Sequence, residues 1–117
     1  MPWVEVHMAR RLNGSDFEAV KKEVAVVLQE EFGKAESGLV VTFYRPEAYY
    51  RAGKAVDTAA NIEVKYIDSF PLEKKQAVTR RLAAFLEARF GIDPMQVTVV
   101  FAESAHENWG RRAGDFP

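Results

Sequence analysis

The chain has no cysteine. Disulfides, thiolate metal ligands and a cysteine nucleophile are therefore excluded. It has almost no net charge, 16 Lys and Arg against 17 Asp and Glu, so no chain-wide attraction to nucleic acid or an anionic membrane is expected. It has no apolar run approaching a membrane span and no signal-peptide pattern at its start. A cytoplasmic protein is the expectation. Histidine is scarce. His7 and His106 stand 99 positions apart with no third ligand at motif spacing, and no metal is expected from them. No segment is of low complexity, and no block of like charge marks a tail.

What the chain does have is a repeat. Its 117 residues, 48% hydrophobic and 28% charged, fit one domain with one core. A shift of 58 positions brings the two halves into register without a gap. Val4-Glu5-Val6 falls on Ile62-Glu63-Val64. Val20, Val24, Val27 and Leu28 fall on Val78, Leu82, Phe85 and Leu86, Phe32-Gly33 on Phe90-Gly91, and Phe43 on Phe101. One supersecondary unit is used twice, over residues 2–45 and 60–102, and residues 103–117 follow as a C-terminal segment. A shared core across a pseudo-twofold axis is expected. Pro2 falls on Ala60, so only the first copy begins with a proline directly after Met1.

Each copy reads as β-α-β. Trp3 to Met8 alternates apolar and polar, as a half-buried strand does. Ser15 and Glu18 have the spacing of a capping box, with Ser15 as N-cap. Phe17, Val20, Val24, Val27, Leu28 and Phe32 form an apolar stripe at helical spacing that Gly33 ends. Leu39 to Tyr44 is the second strand, and Pro46 stops it. In the second copy Asn61 to Ile67 is a strand, and Pro71 suits the first turn of a helix. Val78, Leu82, Phe85, Leu86 and Phe90 form the stripe of that helix, and Gly91 closes it. Val97 to Phe101 is almost wholly apolar and is expected to be buried on both faces.

The two strands of each unit should be parallel with a right-handed crossover. The fold class expected is α/β: two tandem β-α-β units in a four-stranded mixed sheet, with both helices on one face. The other face also carries apolar side chains, and a chain of this length has little left to cover it except a neighbour, so an oligomer is expected. The element order also describes ferredoxin-like modules that bind RNA, metals or small effectors. No aromatic RNA-binding signature, metal cluster or basic stripe supports that role.

The repeat, the chain length and the proline after Met1 resemble the tautomerase superfamily. The end of the chain strengthens the resemblance: Phe90-Gly91-Ile92-Asp93-Pro94, the strand Val97 to Phe101, Glu103, Asn108-Trp109-Gly110 and Phe116. This order is similar to the second half of macrophage migration inhibitory factor and its relatives, and the short 4-oxalocrotonate tautomerase-like members end similarly. The resemblance implies a homotrimer that uses no cofactor. It also implies keto–enol tautomerisation of a small 2-oxo or enol carboxylic acid, with Pro2 as general base. An α-amino group titrates near ~8, and burial lowers that value by disfavouring the charged form. Such an amine removes a proton α to a carbonyl near neutral pH. The condition is that Met1 is removed, because otherwise the Pro2 nitrogen is a tertiary amide. A member of the fold that retains Met1 would be catalytically silent, with a structural or binding role.

A cation is needed to hold the substrate carboxylate. By resemblance Lys34 falls near the pocket lysine of the cytokine-like members, and Ile67 falls on an isoleucine lining that pocket. Thr98 and Val100 stand where those members carry tyrosine and asparagine, and cannot do the same work. The short tautomerases use two arginines, one after the first strand and one on the second. Arg10 and Arg11 lie close to the first, and Arg45 lies at the far end of the second strand. Plainer roles compete. Arg10 and Arg11 precede a helix as loop residues do, and Lys34 follows a helix C-terminus, where a cation complements the dipole. Trp109 is expected to anchor the tail and to reach the pocket mouth. Residues 46–59, with Tyr49-Tyr50 flanked by Arg45 and Arg51, are long for a hairpin connection and are expected to form a lid or inter-subunit arm.

Overall fold

The computed structural model describes residues 2–111 and Gly114; Met1 and Phe116 lie outside the described residues. The elements run β1 (Trp3–Met8), α1 (Gly14–Phe32), β2 (Val40–Tyr44), β3 (Tyr50–Arg51), β4 (Lys54–Ala55), β5 (Ala60–Ile67), α2 (Leu72–Phe90) and β6 (Val97–Ser104). Four strands form the main sheet in the order β2-β1-β5-β6, and β3 and β4 make a separate hairpin. β1 pairs parallel with β2, β5 pairs parallel with β6, and β1 meets β5 antiparallel. The strands of each β-α-β unit are direct neighbours. A ferredoxin-like module splits that unit, so the ferredoxin-like alternative is excluded.

The duplication holds residue for residue. Both helices have 19 residues, and each ends on a glycine in the left-handed conformation, Gly33 at φ 66° and Gly91 at φ 69°. Short 3₁₀ turns at Glu36–Gly38 and Pro94–Gln96 lead into β2 and β6. The β1–β5 register sets Val4 against Val64, Glu5 against Glu63 and Val6 against Ile62. Glu5 therefore faces its own repeat mate, and the pseudo-twofold axis passes between the two carboxylates.

Strand alternation makes one core. Val4, Val6, Met8, Ile62, Val64 and Tyr66 turn towards the helices and are buried with Val20, Val24, Val27, Leu28, Val78, Leu82 and Leu86. Each fully buried aliphatic side chain contributes about 1.5–3 kcal/mol. No helix among the described residues is long and apolar enough to cross a membrane.

Several local expectations are corrected. The capping box lies two residues before the expected one: Asn13 Oδ1 accepts from the Asp16 N–H at 2.9 Å, and the Asp16 carboxylate accepts from the Asn13 N–H at 3.0 Å. Asparagine is at least as good an N-cap as serine, and Asp16 at N3 closes the box where Glu18 does not reach. Pro71 is the N-cap residue of α2 rather than part of its first turn. β6 is not buried on both faces: Val97, Val99 and Phe101 pack against the helix-side core, while Val100 on the open face is exposed. The open face of the sheet carries apolar side chains, as expected, around a charged centre. Glu5, His7, Glu63 and Lys65 occupy its centre, and apolar exposure sits on the edge strands, at Val40 (48%), Tyr44 (44%) and Val100 (42%). Residues 46–59, expected to form a lid or inter-subunit arm, contain the β3–β4 hairpin. Ala52 and Gly53, both at positive φ, turn the β3–β4 hairpin, and Arg51 Nη1 donates to Thr98 Oγ1 of β6 at 3.2 Å.

Candidate active site

A cavity of about 530 Å³ opens where β1 begins and β5 and β6 end. Pro2, Trp3, Lys65, Ser104, Asn108 and Trp109 are among its lining residues. Pro2 is buried, and its carbonyl accepts from the Val40 N–H at 3.0 Å, which ties the start of β1 to β2. Trp3 points to the open face, where its indole N–H donates to Thr42 Oγ1 at 3.0 Å.

The cation of this cavity is Lys65. Antiparallel pairing puts Lys65 opposite Trp3, one residue from Pro2, and its ammonium lies 4.3 Å from the centre of the Trp3 ring. The same ammonium is ion-paired with Glu5, whose side chain is only 12% exposed. The Glu5 hydrogen bond raises the Lys65 pKa, and the reciprocal bond lowers that of Glu5. Lys65 therefore stays charged and is held between Glu5 and the Trp3 ring. An ammonium has three donors, so pairing with Glu5 leaves donors for a ligand. His7, the repeat mate of Lys65, stacks on Tyr44 at 4.7 Å between ring centroids and brings Nε2 within 3.5 Å of Glu5.

Glu5, His7 and Glu63 hold their potential ligand atoms within 4.8 Å of one another. The Lys65 ammonium already neutralises Glu5, and the group forms a charge network on the pseudo-twofold axis. Spacing along the chain gave no sign of this group, because antiparallel pairing assembles it.

Lys34 and Ile67 meet at the same end of the sheet. Lys34 follows Gly33 in the Schellman turn of α1, its N–H donating to Leu28 O at 3.1 Å. Its ammonium donates to the Ile67 carbonyl at 3.0 Å and pairs with Asp68 at 2.6 Å. Lys34 holds the Asp68 carboxyl below the usual range. Ile67 pairs with Ser104, which lines the Pro2 cavity. Asp68 itself has φ 117°, an uncommon conformation for a non-glycine residue.

Behind this end Glu103 is held by the Phe70 N–H at 3.0 Å, the Tyr66 hydroxyl at 2.8 Å and Lys75 at 3.0 Å. These donors, the Phe70 N–H foremost, pull its pKa down to about 2. Burial pushes the Tyr66 phenol above its ordinary value. This carboxylate is fully engaged in joining β6 to α2.

Arg10, Arg11 and Arg45 do not join Pro2 within the chain. All of β1 lies between them, about 20 Å of extended backbone. They line a separate cleft at the other end of the sheet with Leu12, Phe17 and Phe43. Arg10 also closes α2, its Nη1 donating to the Phe90 carbonyl at 2.9 Å. Of the candidates read from sequence, the structure groups Pro2 with Trp109 in one cavity, sets Lys34 and Ile67 beside it, and places the three arginines elsewhere. Lys65, Ser104 and Asn108 were missed. The repeat held a signal for Lys65: antiparallel pairing centred on Glu5 and Glu63 puts it opposite Trp3.

A family model described as tautomerase enzyme matches residues 41–112, which is more than half of the chain and spans Lys65, Ser104 and Trp109. The chain belongs to the tautomerase family. No curated protein sequence matches it. Among solved structures, macrophage migration inhibitory factor of Toxoplasma gondii superposes with a TM-score of 0.88 at 16% identity, covering 98% of this chain and 99% of that one. Pt0534 inactivated by 2-oxo-3-pentynoate gives 0.84 at 16% identity, covering 97% and 94%. A fused 4-OT symmetric trimer gives 0.80 at 20% identity, covering 97% and 94%. At these identities the likeness is one of fold.

Proposed function

We propose that this protein is a cofactor-independent tautomerase of a small 2-oxo or enol carboxylic acid, with the amine of Pro2 as general base once Met1 is removed. The observation that carries the reading is one cavity lined by a buried proline at the start of β1 and by a cation, Lys65, that is paired with Glu5. Burial and the nearby ammonium both disfavour a charged Pro2 nitrogen and favour the basic form. The substrate carboxylate sits against Lys65, which Glu5 holds in place. Pro2 takes the proton α to the carbonyl, the electron pair moves to the carbonyl oxygen, and the proton returns to that oxygen to give the enol; ketonisation is the reverse. The carboxylate of Glu5 prevents Lys65 from folding away, and Trp3 and Trp109 supply apolar walls for the chain of the substrate.

We also infer a homotrimer. The fused 4-OT structure is a symmetric trimer, and on the open face of the sheet the exposed apolar side chains Val40, Tyr44 and Val100 lie on the two edge strands, where neighbours of a ring would meet. The replacement of a phenol and an amide by Thr98 and Val100 argues for a substrate other than that of the cytokine-like members.

Intact mass of untagged protein, followed by 2-oxo-3-pentynoate and peptide mapping, tests the reading. A mass short by one methionine and a single adduct on Pro2 are expected. Retained Met1, or an adduct elsewhere, rejects the Pro2 base and leaves the silent reading of the fold.

A further inference from the structure

Two cross-strand pairs stand side by side at the centre of the open face. Glu5 of β1 lies opposite Glu63 of β5, and His7 lies opposite Asn61. Directly opposed residues have Cβ atoms about 4.5–5.5 Å apart, so the four side chains form one square. Like charges opposed in this way are destabilising, and the Glu5 side chain is only 12% exposed. One ammonium, that of Lys65, answers the two carboxylates, and it pairs with Glu5. Glu63 is half-buried and has no ion-pair partner among the described residues. With His7 neutral, two carboxylates and one ammonium leave one negative charge uncompensated.

The atoms left free in the square are metal ligands. Glu5 divides its carboxylate: Oε2 faces Lys65, and Oε1 lies 3.5 Å from His7 Nε2. Two ligands of a tetrahedral zinc, each bonded at about 2.0–2.2 Å, stand about 3.4 Å apart. Glu63 brings an oxygen within 4.8 Å of both, and a carboxylate on two methylenes has the freedom to close the rest. Asn61 Oδ1 is buried and accepts no hydrogen bond. A buried oxygen left unsatisfied calls for a partner that the protein does not itself supply. Metal ligands are held by contacts outside the coordination sphere, and these are present. Lys65 fixes Glu5 through the oxygen turned away from His7, and Tyr44 stacks on the His7 ring at 4.7 Å with 14° between the planes.

We propose that Glu5, His7 and Glu63 bind a divalent transition-metal ion, zinc the best match, with Asn61 as fourth donor. Imidazole selects such ions over magnesium and calcium, which take oxygen ligands. The ion supplies the positive charge missing between the two carboxylates and gives the Asn61 oxygen its partner. All four donors belong to adjacent strands of one chain. The site is therefore complete in each protomer of the inferred trimer and needs no residue of a neighbour. The proposal goes beyond the tautomerase reading, and no step of that reaction passes through the ion.

The test is calorimetric titration of the chelator-treated, untagged full chain with zinc chloride, in the assembly it adopts in solution. One ion per chain is expected, and an excess of magnesium should not displace it. Cobalt(II) in place of zinc should give the intense visible bands of a tetrahedral site. His7→Phe keeps the stack on Tyr44 and removes the nitrogen, and Glu63→Gln keeps the shape and removes the charge. Each should weaken zinc binding by more than the roughly 10–100-fold that loss of a supporting group costs. Glu63→Gln should also raise the Tm of the metal-free protein by relieving the opposed carboxylates. Pro2→Ala and His106→Ala should bind zinc as the parent does, so this site and the tautomerase reading are judged separately. No zinc binding, one ion per three chains, or displacement by magnesium would overturn the proposal. So would loss of binding in Pro2→Ala or His106→Ala, or full affinity in His7→Phe and Glu63→Gln.

Discussion

Lys65→Met keeps an unbranched stem against Trp3 and removes only the ammonium. We expect kcat/KM for a 2-oxo acid to fall about 100-fold, because the substrate carboxylate loses its charged hydrogen-bond partner, with the fold intact. Glu5→Gln should fall less, about tenfold, because the cation remains but is no longer held. Steady-state kinetics with circular dichroism as a folding control decide between these outcomes and a purely structural role. Glu103 makes a prediction about pH. Its folded pKa lies below its unfolded value, so the stability it contributes is complete above about pH 4.5 and is lost as pH falls towards about 2. Glu103→Gln should therefore unfold more easily at pH 7, by about 1 kcal/mol after allowing for solvent screening, and should nearly match the parent at pH 2. Equal stability of the two proteins at pH 7 would contradict this.

At the scale of elements, helix ends carry the clearest tests. Gly33 closes α1 at φ 66° with open space around its Cα, so Gly33→Ala should cost about 1 kcal/mol through backbone conformation alone. Asn13→Ala removes the observed cap and should cost about 1 kcal/mol, while Ser15→Ala should cost less; chemical denaturation ranks the three. Helices, parallel pairings and glycine caps were legible because each rests on local chemistry repeated at the same offset. The identity of the cap was not legible, because Asn13 with Asp16 and Ser15 with Glu18 satisfy the same pattern. The burial of β6 was misjudged for a different reason. An apolar run does not say how many faces of a strand are covered, and in this chain the helices cover only one. Lys65 went unseen because its partners Trp3 and Glu5 lie about 60 residues away, across a pairing that no local pattern reports. The arginines were associated with Pro2 by the resemblance to the short tautomerases, and within one chain the length of β1 keeps them apart.

At the scale of the molecule, the open face has a charged centre and apolar edges. Val40, Tyr44 and Val100 lie on the two edge strands, and the proposed trimer would cover them. Light scattering should give three chain masses, and Val100→Glu should shift the population towards smaller species. A stable monomer of the parent protein would remove that account. The central claim is that Pro2 is the base of the cavity Lys65 serves. It is tested most directly by kcat/KM for enol-to-keto conversion of phenylenolpyruvate, measured on protein lacking Met1 and on Pro2→Ala processed in the same way. The account predicts measurable catalysis by the parent and a loss of at least about 100-fold in the variant. Equal rates in the two proteins would contradict it.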